Sequence, residues 1–141
     1  MSGRREQGVA LNLNLLGEAV LGEGEAERRF QRTLDLIADP AVTYVSVKAS
    51  AVASQIDLWS YDDSLTRVMA RLRQLLSAGA AAQPSTFINL DMEEYKDLHL
   101  TLDAFTSVLD ESDHLTAEAG IVLQTYLPDS FGALQRLTDW A

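Results

Sequence analysis

The sequence contains no cysteine. Disulfides, thiolate metal sites and a cysteine nucleophile are excluded with it. Basic residues are scarce: 11 Lys and Arg against 21 Asp and Glu leave a formal net charge of −10. The lack of a basic stripe to neutralise phosphates argues against nucleic acid as a partner. Long apolar runs are also missing, and none approaches the ~20 residues that cross a bilayer. Met1 to Gly8 form a polar tail carrying Arg4 and Arg5, with no apolar signal core behind it. The location these features point to is the cytoplasm. Proline occurs three times, at Pro40, Pro84 and Pro128. Each falls between segments of regular hydrophobic period, where a chain-breaking residue belongs.

What is present is enough for one domain with a real core: 141 residues, 47% of them hydrophobic. Residues 9–15 alternate, with Leu11, Leu13 and Leu15 on one face and Asn12 and Asn14 on the other. After a turn region with Gly17, Gly22 and Gly24, the spacing predicts a helix over 25–38 with Phe30, Leu34 and Ile37 inward. Arg28, Arg29 and Arg32 cover its solvent side. A second strand spans 43–49, with Val45 and Val47 opposite Tyr44, Ser46 and Lys48. A loop over 50–61 holds Gln55, Asp57 and Trp59. A second helix begins near Asp62 or Asp63 as N-cap, carries a stripe from Leu65 to Leu76, and is ended by Gly79 and the small-residue run to Gln83-Pro84.

The third strand, Phe87-Ile88-Asn89-Leu90-Asp91, runs into Met92-Glu93-Glu94-Tyr95; Phe87, Asn89 and Asp91 share a face, Ile88 and Leu90 the other. A helix over 97–109, a strand over 120–126 and a helix from Pro128-Asp129 complete the chain. Ile121 and Leu123 oppose Val122 and Gln124, and the last helix is expected to bury Phe131, Leu134, Leu137 and Trp140. Trp59 and Trp140 read as packing residues, and His99 and His114 as surface or loop residues.

The order is β-α four times. Asn14, Lys48, Asp91 and Gln124 stand at the strand tips, 34, 43 and 33 residues apart, the scale of a parallel βα unit of ~30 residues or more. A doubly wound sheet is covered on both faces, and its strands are apolar on both sides. These strands are apolar on one side only. The pattern therefore predicts an α/β fold of the (β/α)-barrel, TIM-like kind, with apolar residues toward the helices and polar residues inward. A full barrel takes ~250 residues, so four units make half of one. The expected organisation is a tail over 1–8 and a (β/α)4 half-barrel over 9–141.

Four inward polar tips invite chemistry. Lys48 suits an anionic substrate as a point charge, or a Schiff base if desolvated. Asp91 lies one strand away and is either a structural ion-pair partner for Lys48 or part of a site. Gln124 offers a donor and an acceptor suited to a heterocycle edge, or is a satisfied amide of the barrel interior. Glu93, Glu94 and His99 have no recognised ligand spacing, so no metal is assigned. Gly22-Glu23-Gly24 lacks the glycine fingerprint of a dinucleotide site.

Four motifs carry a family resemblance: Leu15-Leu16-Gly17-Glu18-Ala19, Val45-Ser46-Val47-Lys48, Asn89-Leu90-Asp91-Met92-Glu93-Glu94 and Ile121-Val122-Leu123-Gln124-Thr125-Tyr126. In order and spacing they resemble the bacterial proline dehydrogenase barrel, from about Leu11 to Trp140. The resemblance implies a distorted (β/α)8 barrel that holds FAD and oxidises L-proline to Δ1-pyrroline-5-carboxylate. It implies hydride transfer to the flavin and a membrane quinone as electron acceptor, hence peripheral membrane contact for the full enzyme. By the same resemblance Lys48 contacts the substrate carboxylate and Asp91 is the active-site aspartate. Met92 meets FAD through its backbone, Gln124 hydrogen-bonds the flavin ring, and Tyr126 lies beside the flavin.

The family's further FAD-binding segment, and the paired arginines of its late helix, fall beyond Ala141. The isolated 141-residue chain is therefore expected to bind FAD weakly or not at all and to show no turnover alone. Two alternatives stand beside this reading. One is a non-catalytic half-barrel that assembles with a second half, since an open sheet leaves two edges that favour self-association. The other is an unrelated barrel enzyme forming a Schiff base through Lys48.

Overall fold

The structure is a computed structural model that describes residues 9, 11–15, 22–54, 56–92 and 94–141. Its centre is a four-stranded parallel sheet in the order β1-β2-β3-β4. The strands are β1 (Leu13–Asn14), β2 (Tyr44–Lys48), β3 (Phe87–Asp91) and β4 (Ala119–Ile121). The helices are α1 (Glu23–Ile37), the single turn α2 (Ala49–Val52), α3 (Tyr61–Ala81), α4 (Leu98–Leu109) and α5 (Ser130–Trp140). Each strand pairs with the next in sequence. A doubly wound sheet reverses its strand order at a switch point; this sheet does not reverse. The fold is α/β, four consecutive βα units of a (β/α) barrel, as the alternation predicts.

The apolar faces of the strands meet the helices. Val45, Val47, Ile88 and Leu90 join Phe30, Ile37, Leu72, Leu75, Phe105 and Val108 in one buried cluster. Each such side chain contributes ~1.5–3 kcal/mol by leaving water. Arg71 of α3 clasps α1 from outside, pairing with Glu23 at 3.2 Å and Glu27 at 2.6 Å while its guanidinium covers the Phe30 ring at 4.3 Å. Tyr61 donates to Asp103 at 2.5 Å, and Arg136 donates to the same carboxylate at 3.0 Å, tying α3, α4 and α5 together. Burial and the neighbouring carboxylate push the Tyr61 phenol up.

Several sequence expectations are corrected. β1 is two residues long and not seven, and β4 is three; alternation shows which face a residue takes but not where a ladder ends. α3 starts at Tyr61, so Asp62 and Asp63 sit in its first turn and favour the helix dipole instead of capping it. α3 ends at Ala81, within the expected run from Gly79 to Pro84, and Gly79 itself lies inside the helix. It packs against β3, where an added Cβ would lie 2.7 Å from the Thr86 carbonyl oxygen. In α5 the buried residues are Ser130 and Ala133, with Leu137 half-buried, whereas Phe131 is 68% exposed and Leu134 52%. Trp59 does not pack: it is 98% exposed. His114 lies in a turn yet is buried. The tail 1–8, Leu16 to Ala19, Gln55 and Glu93 lie outside the described residues.

Candidate functional site

The inner face of the sheet is built in tiers. At the bottom, Tyr44 and Phe87 are register partners whose rings meet edge to face at 4.9 Å. The next tier is polar and buried. Ser46 and Asn89 are register partners, and the Ser46 hydroxyl accepts from the amides of Asn89 at 3.2 Å and Asn12 at 2.8 Å. Gly120 stands opposite Asn89 on β4. A Cβ there would come within 2.9 Å of the Phe87 ring and 3.1 Å of Asn89 Oδ1, so glycine leaves room for these two side chains.

At the C-terminal ends of the strands, Lys48 and Asp91 are register partners, side by side and half-buried. The Asp91 carboxylate accepts from Asn14 Nδ2 at 2.9 Å on one oxygen and from Asn89 Nδ2 at 3.4 Å on the other. Asn14 therefore reaches across β2 to β3. That is the stagger of a barrel, whose inner layers are supplied by alternate strands. Three of the four predicted tip residues, Asn14, Lys48 and Asp91, are thus brought together. Gln124 falls three residues past the end of β4 and not on the strand. Its carbonyl accepts from Ser130 Oγ at 2.7 Å and Leu127 N at 3.0 Å, which fixes the turn into α5. Met92 buries its side chain beside Leu98, Leu102 and Ala133 on the helix side, which fixes the backbone just beyond Asp91. Tyr126 is 77% exposed in the turn after Gln124.

One feature of the site escapes sequence reading. A cleft of about 600 Å³ opens beside Lys48 and Asn14, and Arg28, Arg29 and Arg32 of α1 line its far side. Among the described residues the only acid lining it is Glu25, which pairs with Arg29 at 2.8 Å. In a protein of net charge −10, this local excess of cations draws an anion to the strand tips. The three arginines were visible in the sequence, but as solvent cover; that they turn toward the β1 edge is set by helix packing. Among the described residues no cluster of three metal-ligating side chains exists. Glu94 pairs with Lys96 at 2.8 Å, and His99 is exposed.

Parallel βα units in sequential order, with Lys48 and Asp91 as register partners at the C-terminal strand ends, define a segment of a (β/α) barrel, the fold whose enzymes carry their sites on that face. The comparisons name the family. A family model, "Proline dehydrogenase", matches residues 1–141, and the chain belongs to the proline dehydrogenase family. It is 32% identical over 138 residues to the proline dehydrogenase of Deinococcus radiodurans, covering 94% of this chain and 41% of that protein. Proline utilization A of Corynebacterium freiburgense superposes with a TM-score of 0.93 at 51% identity, over 99% of this chain and 14% of that one. Proline utilization A of Bdellovibrio bacteriovorus, in a structure inactivated by N-propargylglycine, gives 0.89 at 32% identity, over 99% and 17%. The chain thus spans about two fifths of the curated relative and a smaller part of the solved structures.

Proposed function

We propose that this chain forms the substrate-side wall of an FAD-dependent proline dehydrogenase that oxidises L-proline to Δ1-pyrroline-5-carboxylate. The observation that carries the reading is the Lys48–Asp91 register pair at the C-terminal strand ends, seated on the Ser46–Asn89 amide tier. Lys48 anchors the substrate carboxylate as a point charge. The arginines across the cleft draw that carboxylate in. Asp91 is the active-site aspartate: it stands beside Lys48 on the adjacent strand and orders the polar network around the substrate. Tyr44 and Phe87 close the floor and keep water from entering from below.

The residues on the β4 side fit a flavin. Gln124 offers a neutral amide suited to a heterocycle edge, on the turn just past β4. The backbone at Met92, the Gln124 side chain and Tyr126 would hold FAD. When bound, FAD supplies the hydride acceptor for proline oxidation, from which electrons pass to a membrane quinone. The location that goes with this reading is the cytoplasm, with peripheral contact to the membrane; among the described residues no helix is long and apolar enough to cross one. The test is anaerobic addition of L-proline to the protein at its full encoded length. Bound flavin that bleaches with proline supports the reading, and flavin indifferent to proline overturns it.

A second reading, a half-barrel that assembles with a partner half, is favoured by one observation: α5 turns Phe131 and Leu134 outward. Sedimentation of the 141-residue chain tests it, with a dimer expected and a monomer contradicting it.

A further inference from the structure

We propose that Asn14 is a positioning residue for Asp91, fixing the plane of its carboxylate; this rests on the reading of Asp91 given above. Asn14 is the last residue of β1, and its register partner is Ser46, not Asp91. Its amide nonetheless crosses β2 and donates to Asp91 Oδ2 at 2.9 Å. The second donor, Asn89, is more distant at 3.4 Å and is shared with Ser46 at 3.2 Å. Asn14 is therefore the stronger and the dedicated hold on this carboxylate.

The two amides take different oxygens, so together they set the rotation of the carboxylate about its terminal bond. A carboxylate torsion is otherwise soft, and a group that must face Lys48 and a substrate gains from being held before the substrate arrives. The partner is chemically apt. An amide N–H strengthens a carboxylate through a charge-assisted bond without bringing a positive charge that would compete with Lys48 for it. Asn14 belongs to the shortest described run of paired sheet, two residues. The same bond therefore joins the β1 edge to β3, and a purely structural role must be separated from the positioning one.

The test uses the full encoded protein and a double-mutant cycle of Asn14→Leu with Asp91→Asn. Leucine keeps the branched shape of asparagine, with more bulk, and removes the donor. A hydrogen bond to a charged group corresponds to roughly 10-fold to 100-fold, and that loss is expected in the limiting rate of flavin reduction by L-proline. Flavin content, and equilibrium binding of a five-membered-ring carboxylate that cannot be oxidised, stay at the wild-type level because Lys48 still holds the carboxylate. In the Asp91→Asn background Asn14→Leu has no further effect on rate, and thermal unfolding of the four proteins is non-additive. Asn14→Ala, which adds no bulk, is read in the same way if the leucine variant does not fold. An inactive Asp91→Asn protein beside a wild-type rate for Asn14→Leu overturns the positioning role alone. An equal loss from Asn14→Leu in both backgrounds also overturns it, because the asparagine then acts through the strand edge. A wild-type rate for Asp91→Asn overturns the reading of Asp91, and the proposal with it.

Discussion

Gly79→Ala separates packing from propensity. In an exposed helix interior, glycine to alanine stabilises by ~1 kcal/mol. At position 79 the new Cβ would stand 2.7 Å from the Thr86 carbonyl oxygen and 3.1 Å from Ile88 Cγ1. The near atom is backbone, so no side-chain rotation relieves the contact. Thr86 is also held in place. Its N–H donates to the Gly79 carbonyl at 3.0 Å, its hydroxyl to the Val42 carbonyl at 3.0 Å, and the next N–H, of Phe87, to Thr43 at 3.0 Å. Relief requires moving α3 away from β3 and loosening the contact with Ile88, which is 1% exposed. Overpacking of this kind costs about 1–3 kcal/mol, and the rigid surroundings place Gly79 at the upper end. Less the propensity gain, the net loss is ~2 kcal/mol, or roughly 6–10 °C in Tm for a domain of this size. Thermal unfolding followed by circular dichroism measures it. Gly24→Ala in α1 is the control, because its nearest neighbour is Arg28 Nη1 at 3.8 Å; it gains up to ~1 kcal/mol. A Gly79→Ala protein as stable as Gly24→Ala would refute the close-approach argument.

Two further predictions follow from contacts elsewhere. Gly120→Ala drives a methyl into Phe87 and Asn89; it is expected to destabilise by about 1–2 kcal/mol and to weaken proline binding by displacing Asn89, as denaturation and ligand titration would show. Arg73 grips Glu111 through three contacts of 2.7–3.0 Å, and this holds the Glu111 carboxyl below its ordinary value of 4.5. A depressed folded pKa contributes stability above the unfolded pKa and loses it as pH falls through the folded one. The urea midpoint of wild type should therefore exceed that of Glu111→Gln at neutral pH, and the gap should close below 4.5; a gap independent of pH contradicts the assignment.

The βα order and the inner polar face were legible because hydrophobic period reports face directly. Lys48 beside Asp91 was legible too, since both stand at tips of adjacent parallel strands. Asn14 on Asp91 was not, because that contact skips a strand and depends on stagger, which no local pattern encodes. The ends of β1 and β4 were misjudged for a related reason: each pairs with only part of a longer neighbour, and alternation does not mark where that pairing stops. In α5 two stripes compete, one with Phe131 and Leu134 and one with Ala133 and Leu137. Side-chain size points to the first, and the fold buries the second. Gly79 reads as a helix terminator by residue type, and only its approach to Thr86 reveals its packing role.

The central claim is that the β2 and β3 tips hold the substrate. Lys48→Met in the full encoded protein tests it most directly, by rapid-mixing measurement of flavin reduction across L-proline concentrations. Methionine keeps the side chain's length and removes the charge. The account predicts a dissociation constant for proline raised by about 10-fold or more, with flavin still bound. An unchanged dissociation constant would contradict it.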